Sequence, residues 1–247
     1  MATCYEEDIA VVIDCELYLE EASFTPTSIP ERIALLDEAG INIAVLMPRI
    51  TFKPGNKWLA TTIAGNERFV ACCCVNPHFG DEAIKEFETS VKEWGMKMLK
   101  FMPPRHGYRV TERFLAPFLR KCVELKIPIT VHSGAEGCLP LEIATIADEF
   151  PSLPLVMDHM GYRNHTADAI IAARKHKNIF LATTAVLESG TIRNVVDAVG
   201  AGQVVFGSNG PSVNPWVAVQ AIKKAKLKPA DEVKVMGENL AAILGIA

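Results

Sequence analysis

The 247-residue sequence predicts an α/β protein, a single (β/α)8 barrel over residues 1–247. Three observations carry this. Short apolar, β-branched runs alternate with longer segments of helical period from one end to the other, the signature of repeated βα units around a parallel sheet. Eight such pairs fit a chain of this length closing on itself. No Pro/Ser/Gly-rich linker or composition shift divides it. The open alternative, a doubly wound dinucleotide-binding sheet, would place GxGxxG after the first strand, where the chain reads Ile13-Asp14-Cys15-Glu16-Leu17-Tyr18 without a glycine.

The strands are expected at Ile9–Ile13, Ile43–Met47, Phe69–Val75, Met96–Phe101, Ile129–His132, Leu155–Asp158, Ile179–Ala182 and Val204–Gly207. The helices that follow them are expected at Pro30–Ala39, Trp58–Ala64, Asp81–Trp94, Thr111–Leu125, Pro140–Phe150, Ala167–His176, Val186–Val199 and Asn214–Lys226, with Pro229–Leu244 closing the chain. Ser28-Ile29-Pro30-Glu31 begins the first helix with a capping serine, proline in the first turn and a glutamate close behind.

Composition narrows the function classes. Lys and Arg total 25 against 29 Asp and Glu, a net charge of −4, and the basic clusters Arg174–Lys177 and Lys223–Lys226 are short. Nucleic acid is not an expected partner. No apolar run approaches the ~20 residues of a membrane-spanning helix, and the first residues carry no signal-peptide pattern. Seven cysteines, three of them consecutive (Cys72, Cys73, Cys74) and none in CxxC spacing, suit buried reduced thiols in a cytoplasmic protein.

Barrel chemistry sits where strands end. His78, His106, His132, His159 and His165 all fall in such segments, and only His176 lies in a helix end. His132 and His159 each end an apolar strand, a position for a metal ligand or a proton-transfer group. Asp14, Glu16 and Tyr18 lie at period two and should share one face, with Glu16 a carboxylate ligand, a general base or one half of an ion pair. Lys100 either binds an anionic substrate or pairs with Glu16. Arg105, His106 and Tyr108 after strand 4, and Tyr162, Arg163 and His165 after strand 6, offer cations and rings to a small anion. Loop arginines exposed to solvent would look the same. Cys72 and Cys74 read as small core residues.

Pro103-Pro104-Arg105-His106-Gly107-Tyr108, Val131-His132-Ser133-Gly134, Met157-Asp158-His159-Met160-Gly161, Phe206-Gly207-Ser208-Asn209-Gly210-Pro211 and Gly237-Glu238-Asn239-Leu240 resemble landmarks of the amidohydrolase superfamily, specifically its amidohydrolase-2 branch. The resemblance runs through essentially the whole chain. It implies a (β/α)8 barrel, usually with one divalent metal at the mouth, hydrolysing small molecules or, in one subgroup, decarboxylating them. Family members usually show HxH after strand 1, where this chain has Glu16 and Tyr18. The decarboxylases can carry ExH, a precedent for Glu16. The family histidines after strands 5 and 6 are His132 and His159. The usual GSDxP aspartate after strand 8 is here Asn209, an amide that accepts no proton at neutral pH.

The resemblance implies a catalytic set of Glu16, His159 and Asn209 and substrate contacts from Tyr18, His78, Lys100, Arg105, Tyr108 and Arg163. A metal, zinc first, would rest on Glu16, His132 and His159; metal-free chemistry is the equal alternative. The leading expectation is a hydrolase acting on a small anionic molecule through an activated water. Nonoxidative decarboxylation is the second, and a barrel that only binds a ligand or partner is the third. Family resemblance also suggests a homo-oligomer.

Overall fold

The computed structural model describes residues 11–19 and 28–246. Eight parallel strands run β1 (Ile13–Leu19), β2 (Ile43–Pro48), β3 (Phe69–Cys74), β4 (Met98–Phe101), β5 (Ile129–Val131), β6 (Leu155–Met157), β7 (Ile179–Ala182) and β8 (Val204–Val205), each bonded to the next in chain order. The ring closes where β1 meets the segment after β8. Leu17 bridges Gly210 in parallel, the Cys15 amide donates to the Phe206 carbonyl at 3.0 Å, and the Tyr18 amide to the Gly210 carbonyl at 2.8 Å. The chain is a (β/α)8 barrel, as its alternating pattern predicts.

Helices α1 (Ile29–Ala39), α2 (Asn56–Ile63), α3 (Asp81–Lys92), α4 (Pro103–His106), α5 (Ala116–Leu125), α6 (Pro140–Glu149), α7 (Tyr162–Lys175), α8 (Ser189–Val199) and α9 (Pro215–Lys224) lie between and after the strands. The cap of α1 is a full capping box: Ser28 accepts from the Glu31 amide and the Glu31 carboxylate accepts from the Ser28 amide. The closing segment is not one helix but three pieces, α10 (Pro229–Val233), a π turn (Lys234–Glu238) and α11 (Asn239–Leu244). The Val235 carbonyl in the π turn accepts from the Phe206 amide at 2.8 Å, a bond from the closing segment to the end of β8. Gly237 lies against the backbone before β1, where a Cβ would meet the Val11 carbonyl at 1.8 Å. No helix among the described residues is long and apolar enough to cross a membrane.

Two apolar layers follow from period-two strands. Outward residues such as Leu46, Leu99, Ile129, Leu155 and Leu181 pack against the helices. Inward residues Ile13, Cys15, Val45, Cys72, Met98, Val156 and Val205 fill the barrel, with Leu240 and Leu244 of α11 packed against them. Two positions further along three of these strands, Cys72 gives way to Cys74, Met98 to Lys100 and Val156 to Asp158, so the interior turns polar towards the mouth.

The expectation for β1 needs correction. It spans Ile13–Leu19, not Ile9–Ile13; residues 9 and 10 lie outside the described residues, and residues 11 and 12 are not strand. Its pairing with β2 shifts register between Asp14 and Leu17. Ile13 and Cys15 belong to the inner cluster whereas Leu17 and Leu19 belong to the outer one, so Glu16 and Tyr18 point inward beyond an irregularity. Asp14 does not share their face. Its carboxylate instead accepts from the backbone amide and hydroxyl of Ser208, binding β1 to the segment after β8.

Candidate active site

Glu16 is the hinge of the site. Its backbone carbonyl accepts from the Asn209 amide at 3.0 Å, and its Oε1 accepts from the Tyr18 hydroxyl at 2.6 Å and from Lys100 Nζ at 2.7 Å. Lys100 also donates to Asp158 Oδ2, whose other oxygen accepts from the Thr130 hydroxyl. Glu16, Lys100 and Asp158 are all sealed from solvent. Burial alone would raise the Glu16 carboxyl, but the Lys100 ammonium and the bonds from Lys100 and Tyr18 outweigh it and hold the group at about 2. Burial pulls the Lys100 ammonium down, yet Asp158 and Glu16 together push it well above the ordinary lysine value.

Beside this ionic cluster stands an imidazole pair. His132 follows β5 and His159 follows β6, and His159 Nε2 lies 3.1 Å from His132 Nδ1 with the rings at 72°. His159 has φ 61°, a left-handed conformation uncommon for a residue with a side chain. Thr184, after β7, supports it three times. The His159 amide donates to Thr184 Oγ1 at 2.9 Å, and Nδ1 lies 3.0 Å from the Thr184 carbonyl and 2.8 Å from Thr184 Oγ1. These contacts fix the ring and direct Nε2 at His132 Nδ1. Burial, then His159 and Lys100, push His132 down to about 3, so it is neutral at physiological pH. Ser133 ties the two loops together: its hydroxyl donates to the Asp158 carbonyl and accepts from the Gly161 amide.

Above these groups opens a cavity of about 360 Å³ lined by Tyr18, Arg49, Ile50, Met102, Arg105, His132, His159, Asn209, Pro211 and Ser212. Among the described residues it holds two arginines, two imidazoles, a phenol and an amide, and no carboxylate. The structure therefore brings Tyr18, Arg105, His132, His159 and Asn209 to one cavity and leaves other expected contacts outside it. Lys100 is buried in its ion pairs and does not line this cavity; of the two alternatives, the structure shows the pairing with Glu16. Tyr108 is buried, stacked on His106 and edge-on to Phe114, where it packs the loop after β4. His78 is exposed and rests on the same rings. Arg163 lines a separate cleft of about 460 Å³ between α7 and α8, together with Tyr162 and Glu188. Cys72, Cys73 and Cys74 are buried and free, and burial pushes the Cys74 thiol up to about 12, which keeps it protonated.

Sequence reasoning assigned no role to Asp158, Thr184, Ser208 or Arg49. Asp158 stands one residue before His159 at a strand end, and Arg49 follows β2 at the mouth, so barrel position alone was a usable signal for both.

The amidohydrolase family model matches residues 19–246. The chain belongs to the amidohydrolase family. Its amidohydrolase-2 landmarks coincide with the elements that build the mouth. Solved structures with the same fold include 5-carboxyvanillate decarboxylase from Sphingomonas paucimobilis, at 17% identity and TM-score 0.77 over 96% of this chain and 100% of that one. The 2,6-dihydroxybenzoate decarboxylase from Rhizobium matches at 16% and 0.77, over 96% and 99%. A dihydroxybenzoic acid decarboxylase from Polaromonas, which holds manganese and the inhibitor 2-nitroresorcinol, matches at 17% and 0.74, over 96% and 97%. No curated protein sequence matches this amidohydrolase-family chain.

One of these neighbours holds manganese, and the donor set of this chain bears on whether a divalent ion would fit here. Among the described residues, the ligand atoms of Glu16, Asp158 and His159 lie within 4.8 Å of one another, the spacing of a metal-binding group. His132, expected as a ligand beside Glu16 and His159, is not in that group. The two carboxylates are already paired with Lys100 Nζ, and His159 Nε2 faces His132 Nδ1. Only Glu16 Oε2, which is buried and without a hydrogen-bond partner, remains as an uncommitted carboxylate oxygen. A catalytic zinc site takes three protein ligands. With Lys100 in place, this set does not fit a divalent ion.

Proposed function

We propose that this amidohydrolase-family barrel is a nonoxidative decarboxylase of a small carboxylic acid. One observation carries the reading: the mouth cavity presents Arg49 and Arg105 together with the His132–His159 pair, and among the described residues no carboxylate lines it. Arginines suit the charge and planar shape of a substrate carboxylate. Hydrolysis asks for a base that takes a proton from water; the strand-8 position offers Asn209, which cannot, and Glu16 Oε1 is committed to Lys100 and Tyr18.

In decarboxylation the C–C bond breaks, CO2 leaves, and the electron pair stays on the substrate carbon, which then takes one proton derived from solvent. The His132–His159 pair is the group on the cavity suited to pass a proton, because Thr184 fixes His159 with Nε2 3.1 Å from His132 Nδ1. Tyr18, held by Glu16, offers a fixed phenol to the same cavity. The decarboxylases among the similar structures support this reading over the hydrolase one.

Hydrolysis remains the second reading, supported by the same imidazole pair acting on water. The experiment is a panel of hydroxylated aromatic and unsaturated carboxylic acids incubated in D2O. Release of CO2 with one deuterium on the former carboxylate carbon is the expected result. Cleavage of a lactone or ester panel with no CO2 from any acid would favour the hydrolase.

A further inference from the structure

We propose that the Lys100 ammonium is the resident cation of this site, occupying the place where a divalent ion would need the Glu16 and Asp158 carboxylates. Lys100 lies two positions after Met98 on β4, so it extends into the barrel at the level where the lining turns from apolar to polar. Its side chain has no solvent exposure, and neither do its partners beyond 1%. A buried ammonium is tolerated only when paired and hydrogen-bonded, and here two carboxylates meet it. Thr130 takes the remaining Asp158 oxygen, and Tyr18 shares Glu16 Oε1. The cluster carries two negative charges against one positive charge.

A metal entering this cluster would have to displace the lysine from oxygens that it already bonds, or sit beside an ammonium in a medium of low dielectric. Glu16 Oε2 is the one carboxylate oxygen of the cluster left without a partner, and His159 Nε2 already faces His132 Nδ1, so the set falls short of the three protein ligands an open catalytic site uses. The two family positions that could have supplied more are Tyr18 and Asn209, a phenol and an amide. These substitutions and Lys100 form one consistent set, in which a protein cation replaces a bound one. Lys100 is fully buried and does not line the mouth cavity, so it is a positioning residue: it fixes Glu16, and Glu16 fixes the Tyr18 hydroxyl.

The test needs no substrate, so its outcome is separate from that of the decarboxylase reading. Protein purified without added metal and dialysed against EDTA is analysed for metal content, then titrated with MnCl2 and ZnCl2 by calorimetry and by thermal shift. The wild type is expected to hold far less than one equivalent and to show no rise in melting temperature with either ion. Lys100→Ala frees both carboxylates and is expected to bind Mn2+ or Zn2+ at least about tenfold more tightly than the wild type, a gain of about 1.4 kcal/mol. Lys100→Arg retains the charge and should show no gain. A wild type that keeps about one equivalent through chelation overturns the proposal, and that arm decides it even if Lys100→Ala does not fold. A folded Lys100→Ala that gains no metal affinity also overturns it.

Discussion

His159 Nε2 stands 3.1 Å from His132 Nδ1, and the far side of the same His159 ring is held by Thr184. Thr184 meets Nδ1 with both its carbonyl and its hydroxyl, so the His159 ring is fixed in place. The arrangement holds two ring nitrogens within hydrogen-bond distance at the cavity wall and ties their position to the segment after β7.

The first prediction concerns pH. His132 sits at about 3 in the fold and near 6.5 when unfolded, so between these values the unfolded chain binds more protons than the folded one. Its contribution to stability is present above about pH 6.5 and lost as pH falls towards 3. Asp14 acts in the opposite sense. Burial, partly offset by its bonds from Ser208, raises it to about 6, so the folded chain binds more protons and stability falls as pH rises from about 4 to 6. The two slopes oppose each other. His132→Asn should expose the Asp14 slope, giving greater urea resistance at pH 4.5 than at pH 6.5 relative to the wild type. An unchanged pH dependence would show that His132 titrates near its ordinary value.

Thr184→Val removes the hydroxyl that accepts from the His159 amide while keeping the shape of the side chain. That amide is buried on a left-handed residue and would be left without a partner. The expected cost is about 1–3 kcal/mol in stability, with a fall in kcat as His159 loses its orientation. Thr184→Ser should restore both. Chemical denaturation and steady-state kinetics on the same samples distinguish this from a purely structural loss.

How far the sequence could be read depended on which rule each segment obeys. Strands β2 to β7 are mainly apolar and almost wholly buried, Lys100 in β4 and Thr130 in β5 being polar exceptions, and β7 matches its expected span, Ile179–Ala182. β1 was misplaced because its outer half, Glu16 to Tyr18, is polar where it faces the mouth, and apolar continuity is the wrong guide there. Glu16, His132, His159 and Asn209 were found from strand ends and family landmarks. The pairing of Lys100 with two carboxylates was half visible: the Glu16 contact was an open alternative, but Asp158 lies 58 residues along the chain and its side chain could not be aimed from spacing alone. Tyr108 and Arg163 carried the right chemistry but the wrong direction, one turned into packing and the other into a neighbouring cleft.

Gly134 links the two loops that carry the imidazoles. Its φ is 86°, and a Cβ there would meet the Gly161 carbonyl oxygen at 2.5 Å and Tyr162 Cβ at 2.6 Å. Backbone cannot step aside as a flexible side chain can. Gly134→Ala should cost about 1–3 kcal/mol from crowding, with a further penalty from the left-handed backbone. Because the displaced atoms follow His159 in the chain, activity should fall more than stability alone explains. A folded Gly134→Ala with wild-type kinetics would show that the two loops are not held in register by this contact.

The final prediction separates anchoring from chemistry. Arg105 is exposed on α4 and reaches the cavity wall, while His159 lies buried at its floor. A guanidinium at the rim that holds the substrate carboxylate binds the ground state at least as well as the transition state, in which that carboxylate loses charge, so its loss should raise KM without lowering kcat. Solvent screens it, and about tenfold in KM is the expected size, shrinking further in 0.5 M salt. His159→Asn removes the ring that faces His132. Proton-transfer groups typically contribute about 10²–10⁴-fold in rate, so kcat should fall by at least about 10²-fold with KM little altered. The opposite pattern, a kcat loss from Arg105→Ala and a KM effect from His159→Asn, would place the reacting carbon at the rim and not against the imidazole pair.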